Sequence, residues 1–238
     1  MIKIGCSGFL IAQSRYFSQF GVVEAIDFFD KTPLDKTVER WRSSAPASFE
    51  FISVCSKKVT HQEMKTPMKG PSFTSTAQGY FHDSDVVKNH FQSSLKRSQK
   101  LDSKVLLFLT PKGFIPHPDN VGRLQKFFKV KTTSALHYAW EAPRLWPVNL
   151  ITSLSLSLGF TPVFNPLSWR EMPKTPMRYF RLGAEGKTTG IGRFSDEDLH
   201  QIYSKCDKGL CYVIFNNGPT AVDDALRFSK LVKSKGIR

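Results

Sequence analysis

Short apolar runs alternate along this chain with stretches of helical spacing, and that alternation is the strongest signal in it. Ile2-Lys3-Ile4-Gly5-Cys6 reads as a strand, followed by a helix-like stretch that stops at Gly21. Val22–Ile26 is the second strand. Thr32-Pro33-Leu34-Asp35 then has the form of a helix start, with Thr32 as N-cap, proline in the first turn and an acid at the third position. Leu34, Val38 and Trp41 share one face of that helix, and Phe49–Val54 alternates as a third strand. From Ser56 to Tyr80 the periodicity fails. Lys, Thr, Ser, Gly and Pro dominate, which predicts a long irregular loop.

Val86, Val87, His90, Phe91 and Leu95 restore a helical stripe before Val105–Leu109, a strand apolar at every position. Continuous apolarity is what a parallel sheet covered by helices requires. Val121, Leu124, Phe127 and Phe128 mark the next helix and Ala135–Trp140 the fifth strand. Val148–Leu158 is helical, Thr161–Phe164 and Met177–Leu182 are strands, and Ser195 with Asp198 caps another helix. Cys211–Phe215 is the eighth strand and Thr220–Val232 the last helix. Eight strands alternating with helices predict an α/β fold of TIM type, a (β/α)8 barrel forming a single domain over residues 1–238. An open doubly wound sheet competes less well, because Gly5-Cys6-Ser7-Gly8 lacks the third glycine and the downstream acid of a dinucleotide fingerprint.

Composition narrows the class without naming a reaction. The 238 residues are 40% hydrophobic with 20 Phe, which excludes a disordered chain. No apolar run reaches the roughly 18 residues of a membrane span. The opening Met1–Ala12 mixes Lys3, Gly5, Cys6 and Ser7 into its apolar stretch and reads as a strand, not a signal peptide. Cys6, Cys55, Cys206 and Cys211 lack CxxC spacing, so a reduced, cytoplasmic protein is the expectation. Against 20 acidic residues stand 34 Lys and Arg, a net charge of +14 that suggests an anionic partner.

Read together, the strand ends resemble one family. Ile4-Gly5-Cys6-Ser7-Gly8, Val23-Glu24 with Phe28-Phe29, and Phe49-Glu50-Phe51 leading to Val59-Thr60-His61 match the first three strands of the YecE-like family, domain of unknown function 72. Leu106-Leu107-Phe108 with Pro111 and Phe114, then Ala139-Trp140-Glu141-Ala142-Pro143-Arg144, resemble its fourth and fifth. Tyr179-Phe180-Arg181-Leu182 and Phe215-Asn216-Asn217 with Asp224–Phe228 resemble its seventh and eighth. The chain looks like an archaeal-type member. The resemblance implies a TIM-type barrel and no established activity. It also exposes departures: Ile26, Val54, Leu109, Asn165 and Gly183 stand where the family often carries Asn, Lys, Gln, Asp and His.

In such a barrel the reactive face is the C-terminal end of the strands. Glu24, Glu141 and His61 are the candidate catalytic residues there, as acid–base groups or as ligands of an oxygen-rich divalent metal site, although no motif names a cofactor. Arg144, Arg181, Asn165, Asn216 and Lys57 are the candidate ligand- and anion-binding residues, with the arginines suited to bidentate contacts. Each has a plainer reading. Buried glutamates pair with arginines for structural reasons, and asparagines at strand ends satisfy backbone groups. Arg181 lies between Phe180 and Leu182 and so points opposite to them, into the barrel top. The Ser56–Tyr80 loop, with Lys57, Lys58, Lys65, Lys69, Phe73 and Tyr80, mixes charge with rings as single-strand binders do. The leading expectation is a barrel that binds a phosphorylated ligand or nucleic acid at its rim, with phosphodiester hydrolysis as the reaction if it is an enzyme. The alternatives are a sugar-phosphate-like small-molecule enzyme or sensor, and a barrel whose chemistry is degraded and which serves as a scaffold.

Overall fold

The computed structural model describes residues 1–62, 78–129, 136–168, 175–183, 192–206 and 209–236. Its strands are β1 (Ile2–Ser7), β2 (Val22–Ala25), β3 (Glu50–Val54), β4 (Val105–Leu109), β5 (His137–Glu141), β6 (Thr161–Phe164), β7 (Met177–Gly183) and β8 (Leu210–Asn216). All pair in parallel in sequence order, and β1 also pairs with β8, closing the barrel. The helices among the described residues are α1 (Gln13–Gln19), α2 (Asp27–Asp30), α3 (Asp35–Ser44), α4 (Lys57–Thr60), α5 (Asp85–Lys100), α6 (Pro118–Lys129), α7 (Val148–Leu158), α8 (Asp196–Ser204) and α9 (Ala221–Ser234). None of these helices is long and apolar enough to cross a membrane. This is the (β/α)8 architecture that the alternation predicts.

Residues of alternate parity divide each strand between two cores. Val22, Ile52, Val54, Leu107, Ala139, Val163, Tyr179 and Ile214 fill the barrel interior. Phe51, Phe180, Leu182 and Phe215 face outward into one cluster under the helices, and Phe108, Trp140 and Phe164 into another. Most of the described phenylalanines belong to these outer layers. Phe108 packs on Phe128 at 5.1 Å between ring centroids, and Phe114 stacks on Trp146 at 5.5 Å. At the N-terminal end of the interior, Lys3 Nζ meets Glu50 Oε1 at 3.1 Å while the Tyr212 hydroxyl donates to Glu50 Oε2 at 2.7 Å.

One side chain enters the barrel wall. The buried Tyr16 hydroxyl of α1 accepts from the Cys6 amide at 2.7 Å and donates to the Val22 carbonyl at 3.0 Å, so a phenol bridges β1 and β2 where a backbone pair would otherwise meet. Gly5 is fixed by the same seam, since a Cβ there would lie 2.0 Å from the Val22 oxygen.

Helix ends follow local chemistry. Ser195 and Asp198 form a reciprocal capping box on α8, as their spacing predicts. The start of α3 differs from expectation. Its N-cap is Leu34, without a side-chain bond, and Thr32 lies two residues outside the helix. The expected loop from Ser56 to Tyr80 opens with the helical turn α4, because the amides of Val59 and His61 bond to the carbonyls of Ser56 and Lys57. Lys65, Lys69 and Phe73 lie outside the described residues.

Candidate functional site

Strands β7, β8, β1 and β2 are neighbours in the closed wall, and at their C-terminal ends each turns a polar side chain inward. These are Arg181, Asn216, Ser7 and Glu24. From across the barrel β5 contributes Glu141. The remaining inward positions of this layer include Val54 and Leu109, so the mouth is polar on one side and apolar on the other.

Arg181 is the centre of the polar side. Its Nε donates to both Glu24 oxygens at 3.1 and 3.0 Å, and its Nη2 lies 3.0 Å from Glu24 Oε1. Its Nη1 donates to Glu141 Oε2 at 3.0 Å. With its amide oxygen toward the guanidinium, Asn216 accepts from Nη1 at 3.3 Å and from Nη2 at 3.1 Å. All five guanidinium hydrogens therefore face acceptors of the barrel itself. Burial works against the charge on Arg181, but Glu24 and then Glu141 outweigh it and hold the pKa above its ordinary value.

The two carboxylates differ sharply in access. Glu24 has a side-chain exposure of 0%, and beyond Arg181 it accepts from Ser7 Oγ at 2.6 Å and from the Tyr179 hydroxyl at 2.8 Å. Both its oxygens are saturated with donors. Its carboxylate is closed off from solvent. Glu141 is 33% exposed and is the carboxylate the mouth presents to solvent. Its backbone carbonyl accepts from Thr110 Oγ1 at 2.8 Å, which fixes the end of β5 against β4. Burial, followed by the Glu24 charge, raises the Tyr179 phenol well above its ordinary value, so it remains a neutral donor.

The other expected residues lie apart from this chain of bonds. His61 follows α4, its Nδ1 2.9 Å from Thr60 Oγ1 and its ring edge-on to Phe29 at 5.0 Å. Phe29 packs against the barrel interior, so His61 borders the mouth on its apolar side. Burial, then the Lys57 charge, lowers the His61 pKa against an opposing pull from Asp30, and the neutral imidazole is favoured. Lys57 is ion-paired with Asp30 at 2.8 Å. Arg144 is exposed beyond the end of β5. Asn165 turns its side-chain oxygen to the Leu167 amide at 3.0 Å, a backbone-satisfying role. Asn217, beside Asn216, donates to the Gly192 carbonyl, Thr220 Oγ1 and the buried Asp224 carboxylate, and it anchors the start of α9.

Ser7 and Tyr179 were absent from the candidates drawn from sequence. Both share strand parity with candidates that were named: Tyr179 is two residues before Arg181, and Ser7 ends the strand paired to the one that carries Glu24. Among the described residues no group of three or more His, Cys, Asp or Glu side chains is placed to hold a metal ion. Arg181 occupies the position between the two carboxylates that a cation would take, so this donor set does not suit a resident divalent metal.

A family model described as "Protein of unknown function DUF72" matches residues 13–145. Among solved structures the chain is similar to a DUF72 family protein from Enterococcus faecalis V583, at 18% identity over 98% of both chains with a TM-score of 0.72. It is also similar to a DUF72 family protein from Thermotoga maritima MSB8, at 18% identity over 98% of this chain and 99% of that one with a TM-score of 0.68. SacUVDE shares the fold at 9% identity over 99% of both chains, with a TM-score of 0.58. No curated protein matches the chain.

Proposed function

The chain belongs to the DUF72 family, a grouping described without an activity, and from its own site we propose that it binds a phosphorylated, hydroxyl-bearing small molecule at the C-terminal mouth of the barrel. The distribution of charge supports this reading above all else. At the centre of the mouth, Glu24, Arg181 and Glu141 sum to a net charge of −1, with Glu141 the accessible member. Two cations stand at the exposed edge, Lys57 after β3, where it pairs with Asp30, and Arg144 after β5. A bare anion is repelled at such a centre. A sugar-phosphate-like molecule suits both zones, with hydroxyls on Glu141 and Asn216 and its phosphate on the outer cations. The apolar wall of Val54 and Leu109 matches the face of a sugar ring or chain. Where turnover accompanies binding, Glu141 and the neutral His61 are the acid–base groups, and Glu24 with Arg181 holds Glu141 in place.

The net charge of +14 favours a second reading, in which the phosphorylated ligand is nucleic acid and the reaction is phosphodiester hydrolysis. One experiment separates the two. Melting temperature and calorimetric binding are measured with aldose and ketose phosphates, the same sugars without phosphate, inorganic phosphate, and single-stranded DNA at two salt concentrations. The small-molecule reading expects a sugar phosphate to bind more tightly than its parent sugar or phosphate alone, with loss in both Glu141→Gln and Arg144→Ala. Strongly salt-dependent DNA binding that survives Glu141→Gln favours the second reading. Absence of binding by every probe overturns both.

A further inference from the structure

At the end of the barrel opposite the mouth two thiols meet. Cys206 lies just past α8, where its amide donates to the Tyr203 carbonyl, and it is half-buried. Cys211 is the second residue of β8, held in the sheet between Ile2 of β1 and Arg178 of β7, and it is buried. The Cys211 thiol donates to Cys206 Sγ across 3.7 Å. Arg178, the register partner of Cys211, donates from its guanidinium to the Lys205 carbonyl, which sets a cation beside the pair.

We propose that Cys206 and Cys211 are a reversible dithiol–disulfide pair that takes a small disulfide of the glutathione type as oxidant, with Cys206 as attacking and Cys211 as resolving sulfur. The order follows from access. Cys206 is half-buried and reachable from solvent, whereas Cys211 is buried in the sheet, where its hydrogen bond to Cys206, and then burial, keep its thiol protonated. Bond formation requires the sulfurs to close by about 1.7 Å, the difference between 3.7 Å and a disulfide length. Cys206 stands outside the sheet, so rotation of its side chain supplies that movement without disturbing β8.

The chemistry balances in two steps. The Cys206 thiolate attacks one sulfur of oxidised glutathione, the small disulfide breaks, and one glutathione thiolate leaves. Cys211 then gives its proton to the glutathione thiolate released in the first step and attacks the Cys206 sulfur of the mixed disulfide, expelling the second glutathione as a thiolate. The protein loses two electrons, and the small disulfide gains them. Cys6 and Cys55 serve as internal controls. Both are completely buried, and burial pushes their thiols up to about 12.

The test incubates the full chain with oxidised glutathione, alkylates the remaining thiols after denaturation, and reads the products by mass spectrometry. The expected result is loss of two of the four thiols, a monomer lighter by two hydrogens, and a cross-linked pair of tryptic peptides, since Lys208 lies between the two cysteines. Dithiothreitol restores all four thiols. Cys211→Ser stops at a glutathione adduct on Cys206. Cys206→Ser, a change at a half-buried position that the sheet does not use, gives no reaction. Four alkylatable thiols after treatment, a stable glutathione adduct on the unmodified sequence, or a disulfide-linked dimer would each overturn the proposal.

Discussion

Replacing Arg181 with Met tests whether the mouth of the barrel is held by charge. Methionine keeps much of the apolar stem and removes every donor that Arg181 makes to Glu24, Glu141 and Asn216. Ser7 and Tyr179 still donate to Glu24, yet a carboxylate with no exposure is left without a counter-charge. Removing one partner of a buried pair costs about 3–5 kcal/mol. Arg181 is itself only 11% exposed, so solvent screening discounts little of this. For a chain of this size each kcal/mol corresponds to about 2–4 °C, which places the fall in Tm at about 6–20 °C. Glu24→Gln with Arg181→Met removes both charges together and recovers at least about 2 kcal/mol relative to the sum of the single changes. Urea denaturation followed by circular dichroism at pH 7, on the wild type, both single variants and the double variant, gives the coupling energy directly. A loss below about 1 kcal/mol in Arg181→Met, or additive effects in the double variant, would refute the reasoning.

Three further outcomes are expected. Tyr16→Phe strands the buried Cys6 amide and Val22 carbonyl and costs about 2–5 kcal/mol in urea denaturation; a loss under about 1 kcal/mol shows that the seam closes without the hydroxyl. His61 has a folded-state pKa below its usual 6.5, so the unfolded chain binds the extra proton and His61 lends stability above that pH that is lost as the pH falls through it. Thermal unfolding of wild type and His61→Gln should run parallel above about pH 6.5, and the wild type should lose stability relative to the variant as the pH falls below it; profiles parallel throughout would contradict this. Ser195→Ala removes one half of the α8 capping box and lowers stability by about 0.5–2 kcal/mol, read from the urea midpoint.

The alternation of apolar runs carries most of the fold because each strand is buried on both faces and each helix on one. Val105–Leu109 and Val148–Leu158 are legible to the residue for that reason. The capping box at Ser195 is equally local. Two short helices, α2 and α4, escape periodicity because a single turn is too short to show a stripe. The α3 start misleads because a threonine followed by proline resembles a cap whether or not the helix begins there. At the site, strand parity is enough to turn Arg181 inward, and the barrel topology then brings residues 24, 141 and 216 to it. What parity cannot reveal is saturation. The donors that screen Glu24 come from residues 7, 179 and 181, on strands that are far apart in the chain, and only their joint geometry separates a buried positioning carboxylate from the accessible one at Glu141. Arg181, a candidate anion-binding residue from sequence, makes its bonds to the barrel's own acceptors, the pairing of buried glutamates with an arginine that is the plainer reading of those residues.

The Tyr16 hydroxyl in the wall between β1 and β2 makes a helix side chain part of the sheet's own hydrogen bonding. Backbone alone does not complete that part of the sheet, so the hydrogen bonding between the two strands is whole only with α1 in place and its phenol on Cys6 and Val22. A fragment that carries both strands without the helix keeps an open amide and an open carbonyl at its centre, a ready point of attachment for a stray strand.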